Sequence, residues 1–93
     1  MKTITNIINN NGHFVTAPGA IIQAEYEDEG YTIAQVANMM GLSVSGMQEL
    51  IAGERPLTDS LAQAAAMHLR VDADVLMRIE QSWQEYRAAE VEL

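Results

Sequence analysis

From Pro18 onward the chain is cut into short phrases, each opened by a residue that suits a helix start and three of them closed by a glycine. Pro18 fits the first helical position, where a missing N–H is no loss, and Gly30 fits the stop, so helix 1 is expected over about 18–29. Thr32 with Gln35 forms a T-x-x-Q capping box, and Ile33, Val36, Ala37 and Met40 follow at helical spacing to Gly41. Ser43 caps helix 3, whose inward residues would be Met47, Leu50 and Ile51 and whose end would be Gly53. Thr58 or Asp59 caps a fourth helix through about Leu69, with Leu61, Ala64, Ala65 and His68 inward. Asp72 caps a long fifth helix carrying Val75, Leu76, Ile79, Trp83 and Tyr86 along one stripe and ending in a charged tail near Glu90. Five helices joined by short breaks must pack on one another to bury these stripes, so an all-α fold is expected over residues 17–93.

Residues 1–16 stand apart from that pattern. Two short β-leaning pieces flank "NNNG", which is turn chemistry because Asn and Gly tolerate positive φ. The segment reads either as a hairpin pairing Ile4–Ile8 with His13–Thr16 or as a frayed, Asn-rich tail. Both readings stay open, since an isolated two-stranded hairpin is marginal in water.

Ninety-three residues make room for one domain with a core of its own. Without cysteine there are no disulfides or thiolate metal sites, and a cytoplasmic location is the default expectation. No run of about 18 apolar residues occurs, so neither a signal peptide nor a membrane span is expected. Thirteen Asp and Glu against five Lys and Arg give a net charge of −8, a field that repels polyanions at long range and favours basic protein partners. The six methionines fall at helical spacing and are read as core.

Residues 32–53 carry the most specific constellation. Two helices that cross steeply through a tight turn need a small residue midway along the first, a glycine in the turn and apolar residues on both inner faces. Ala37, Gly41, Leu42, Met47 and Leu50 meet those needs, with Val36 and Met40 completing the inner face. The stretch "TIAQVANMMGLSVSGMQELIAGERPLT" resembles the xenobiotic-response, lambda-repressor-like helix-turn-helix family. Its flanks, "PGAIIQAEYEDEGYT" and "LTDSLAQAAAMHLRVDADVLMRIEQSWQEY", are similar to HigA-type antitoxins of bacterial toxin–antitoxin modules, and the resemblance covers about residues 17–87. It implies a five-helix DNA-binding domain, a homodimer on operator DNA and a basic ribonuclease toxin as protein partner. Three departures stand out: Ile33 where the family usually has a polar residue, an aromatic delayed to Trp83, and a recognition helix without arginine.

Under that reading phosphates are gripped by backbone N–H groups at the helix starts marked by Thr32, Ser43 and Thr58, with Gln35 beside the first. Gln48 would bond adenine, Ser43 or Ser45 would reach base edges, Val44 would meet a thymine methyl, and Arg55 would be the one cation near this face. The alternative is a helix-turn-helix interaction module that has lost DNA binding. Acid on helix 1 is either an ordinary solvated surface or a dock for a basic toxin. Ile79, Trp83 and Tyr86, more apolar than a small monomer's last helix needs, are expected to form the dimer interface. His13 and His68 have no ligand spacing and the serines no activating neighbour, so no enzyme activity, cofactor or metal is expected.

Overall fold

The start and stop signals set the element boundaries in the computed structural model, which describes residues 6–8 and 14–91. The order is β1 Asn6–Ile8, β2 Phe14–Thr16, α1 Pro18–Asp28, α2 Ile33–Met39, α3 Val44–Ala52, α4 Asp59–His68 and α5 Ala73–Val91. Helix α1 opens on Pro18 without a side-chain cap, whereas the starts of α2 to α5 each use a polar side chain that accepts from an otherwise unpaired N–H of the first turn. Thr32 and Gln35 form the reciprocal capping box, Thr32 N–H donating to Gln35 Oε1 at 2.8 Å and Gln35 N–H to Thr32 Oγ1 at 3.2 Å. Ser43 accepts from Gly46 N–H, Thr58 from Leu61 N–H and Asp72 from Val75 N–H.

The stops of α1, α2 and α3 share one device. Gly30, Gly41 and Gly53 adopt φ of 87°, 72° and 79°, a left-handed conformation that a side chain would strain. The N–H of the following residue then reaches back into the last helical turn, Tyr31 to Tyr26, Leu42 to Ala37 and Glu54 to Glu49, at 2.8–2.9 Å. This Schellman arrangement pairs carbonyls that the helix end leaves open, and it turns the chain sharply toward the next element.

The main core draws Ile22 and Tyr26 from α1, Val36 and Ala37 from α2, Met47 and Leu50 from α3, Ala62 and Ala65 from α4, and Leu76 from α5. Ala37 is buried, as a small residue between packed helices must be. The tightest approach lies elsewhere. Gly19, in the first turn of α1, rests on the backbone of α3, where a Cβ would collide with the Leu50 carbonyl oxygen and stand 2.7 Å from Ile51 Cα.

Four expectations are corrected. Of the two readings of the amino-terminal segment the tail is set aside: it is a two-stranded antiparallel sheet pairing Asn6 with Thr16, Ile7 with Val15 and Ile8 with Phe14, and the expected ends at Ile4, Thr5 and His13 lie outside the described residues. It is not isolated, because Val15 and Ala17 pack with Trp83 into a second apolar cluster that ties β2 to α5. On α4 Ala65 is buried and Leu61 and Ala64 pack half-buried against the core as expected, but Ala62 is buried as well, Leu69 just past the helix end joins it, and His68 is exposed. Alanines at 62, 64, 65 and 66 spread apolarity widely around this helix, so the pattern does not mark the limits of the inner face. On α5 the buried positions are Leu76, Glu80 and Trp83, while Val75 is 42 % exposed. Finally, Met67 is 79 % exposed and is not core. No helix among the described residues is long and apolar enough to cross a membrane.

Candidate nucleic-acid interface

Two contacts beyond the main core hold α3 from its inner side. The backbone of Gly19 lies against its last turn, at Leu50 and Ile51, and α5 holds its end: Trp83 Nε1–H and Arg87 Nη1–H both donate to the Gly53 carbonyl, at 3.1 and 2.7 Å. Arg87 thereby places a cation at the negative end of the helix. The opposite side of α3 is different. Val44 is 40 % exposed, Ser45 and Gln48 are exposed, and neither polar side chain has a hydrogen-bond partner among the described residues.

The other sequence-predicted contacts sit at helix starts. Thr32, Gln35, Ser43 and Thr58 are exposed, and each is already engaged in its own cap. Capping takes one N–H of each first turn out of use, so an incoming anion is left with the earlier ones, Val44 and Ser45 on α3. The Gln35 amide accepts through its oxygen, which leaves its NH2 end to donate outward.

Ser43 and Arg55 come together over the first turn of α3. A Cβ built on Gly46 would stand 3.3 Å from Ser43 Oγ and 3.4 Å from Arg55 Nη2, so the missing side chain makes the bed in which the guanidinium lies. Arg55 is not an unpaired cation. Its Nε and Nη2 both donate to Glu49 Oε1, at 3.3 and 3.2 Å, with the two side chains 41 % and 48 % exposed. Sequence reasoning missed Gly46 and Glu49; the signal was the i, i+3 spacing of Glu49 from Gly46 on one face, with Arg55 six residues beyond Glu49.

The expected dimer residues separate. Trp83 is only 8 % exposed, its ring against Val15, Ala17 and Gly53, so most of its surface is already covered within the chain. Tyr86 stacks on it with ring centroids 5.7 Å apart. The excess apolarity of the stripe is thus used within the chain, on a strand that the helical pattern did not include. Ile79 remains half-buried on α5, beside Val75, Arg78 and Ser82, where these line a shallow cleft of about 220 Å³ with Val15 and Thr16.

Acid gathers on the last turns of α1. A hydrogen bond to Glu29, desolvation, and the charges of Glu29 and Asp28 push the Glu25 carboxyl above its ordinary value of 4.5, with Arg70 acting weakly the other way. Glu29 also accepts from Arg70 N–H at 3.1 Å, fastening the loop before α5 to this end of α1. Burial, reinforced by Glu27, raises the Tyr26 phenol above 10.0. No protein-family model matches the chain, and no curated protein matches it.

Proposed function

We propose that this chain is a sequence-specific DNA-binding repressor of the helix-turn-helix class, in which α2 supports α3 and α3 enters the major groove. The observation that carries the reading is the outer side of α3, where Val44, Ser45 and Gln48 stand exposed without hydrogen-bond partners on a helix otherwise fixed by α1, α2 and α5. Side chains of these types suit base edges: the Gln48 amide fits adenine, Ser45 accepts or donates, and the Val44 methyls fit thymine. Thr32, Gln35, Ser43, Thr58 and Arg55 would hold the flanking phosphates. The resemblance to HigA-type antitoxins extends the proposal to a homodimer that represses its own operon and neutralises a basic ribonuclease toxin, with the acid of α1 as the matching charge. With most of Trp83 covered within the chain, the dimer contacts would draw chiefly on Ile79 and Tyr86, which are half-buried.

The second reading, an interaction module that no longer binds DNA, is favoured by the net charge of −8 and by the pairing of Arg55 with Glu49. Fluorescence anisotropy on DNA from upstream of the chain's own gene separates the two. Saturable binding that competitor DNA of unrelated sequence does not displace supports the repressor. Its salt dependence should be shallow, because few Lys or Arg are there to release counterions. Equal, weak affinity for every duplex would favour the interaction module.

A further inference from the structure

We propose that Glu49 is an electrostatic brake on Arg55, and that this ion pair limits how strongly the chain grips a nucleic-acid phosphate. The inference rests on the DNA-binding reading above. Arg55 is the only Lys or Arg between Tyr31 and Leu69, the stretch that contains α2, α3 and α4. Gly46 lets its guanidinium lie on the first turn of α3 beside Ser43, where a phosphate meeting the start of that helix would encounter it. Glu49 approaches the same guanidinium from one edge with a single oxygen. Arg55 Nη1 and one Nη2 hydrogen are left over, so a phosphate can bind without breaking the pair.

Two opposed effects follow from that geometry. Glu49 orients the guanidinium, which aids binding, and its carboxylate charge repels the phosphate, which opposes it. Both side chains are about half exposed, and an ion pair of that kind holds its geometry only weakly, so the orienting effect is small. The charge is not removed by exposure, only screened, and it sits on the one guanidinium that the stretch from Tyr31 to Leu69 supplies. Repulsion therefore wins, and Glu49 lowers affinity while leaving the fold unaffected.

Glu49→Gln separates the effects, since the amide oxygen still accepts from Arg55 but carries no charge. Anisotropy titrations on the upstream duplex should show this variant binding on the order of fivefold tighter, the equivalent of one unit charge about 4 Å away in water. The salt dependence should steepen by about one released ion per protomer as Arg55 engages phosphate fully. In an Arg55→Gln background the same Glu49 change should gain less than about twofold, because no cation remains to be freed. An undiminished gain in that background would mean that Glu49 repels DNA directly, and weaker binding by Glu49→Gln would mean that orientation dominates; either overturns the brake. If parent and variants all fail to bind any duplex, the DNA-binding reading falls and takes the inference with it, whereas a binding parent without coupling removes the inference alone.

Discussion

The inner and outer sides of α3 differ in how far the fold itself accounts for their residues. Inside, Met47 and Leu50 are buried to 0 and 1 % exposure, and Gly46 is buried under the Arg55 guanidinium. Any change there is felt as stability, because a packed interior has neither spare volume nor spare partners. Outside, Val44, Ser45 and Gln48 are exposed, and Ser45 and Gln48 have no hydrogen-bond partner among the described residues. The lesson is that stability explains one side of this helix and does not explain the other, which the proposed function assigns to DNA. Substitutions can test how clean that division is.

The largest effect is expected at the end of α3. Trp83→Ala removes a ring packed on Val15, Ala17 and Gly53 together with one of the two donors to the Gly53 carbonyl. A loss of about 3–5 kcal/mol is expected, as for large aromatic truncations in cores. Thermal melts followed by circular dichroism measure it, and in a domain this small each kcal/mol moves the midpoint by about 4–8 °C. A midpoint within a degree or two of the parent's would show that α5 does not hold the inner side of α3.

Gly19→Ala comes next. Helix propensity alone predicts a gain of about 1 kcal/mol when alanine replaces a helical glycine. The new Cβ, however, meets the Leu50 carbonyl and the Ile51 Cα, which are backbone and cannot rotate aside. Overpacking should win and cost about 1–3 kcal/mol net. A stabilised variant in the same melts would place α1 farther from α3 than this contact requires.

Which of these features could be read from the sequence follows from their range. The helix starts at Thr32, Ser43, Thr58 and Asp72 and the stops at Gly30, Gly41 and Gly53 act within one turn, so each was legible from neighbouring residues. Gly19 against Leu50, and Trp83 and Arg87 on Gly53, join residues about 30 apart, and no local pattern announces such pairs. Trp83 illustrates the consequence. Its apolarity was visible, but the helical pattern could not show that β2 would cover it, so the residue read as an interface. On the candidate site, the exposure of Ser45 and Gln48 was legible from helical phase, whereas the pairing of Arg55 with Glu49 depends on how the chain turns at Gly53.

Gln48→Ala should sharpen the division from the other side. The side chain is exposed and unpartnered, so the melting midpoint should stay within the equivalent of about 0.5 kcal/mol of the parent's. On the upstream duplex, by contrast, discrimination at the base it reads should fall by about 1–3 kcal/mol. Anisotropy titrations on the parent duplex and on single base-pair variants give both numbers. A variant that discriminates as the parent does would leave the outer side of α3 without its assigned role.

The smallest effect tests whether outer faces are neutral throughout, and it lies on α1. Glu25 shares a hydrogen bond with Glu29 and feels the charges of Glu29 and Asp28, so its carboxyl is raised above 4.5 in the folded chain. A carboxyl raised on folding binds its proton more tightly in the folded state than in the unfolded one. Its contribution to stability is therefore complete below 4.5 and is lost as pH rises through the folded value above it. At neutral pH the ionised Glu25 opposes folding, and its place in the last turn of α1, at the negative end of the helix, acts in the same direction. Glu25→Gln should accordingly melt slightly above the parent at neutral pH, and the difference should close as the pH falls to 4.5. The informative quantity is the parent-minus-variant difference across a pH series. A difference that stays constant with pH would mean that Glu25 acts through helix propensity or packing, and that its charge on this outer face is as neutral for the fold as Gln48 is on α3.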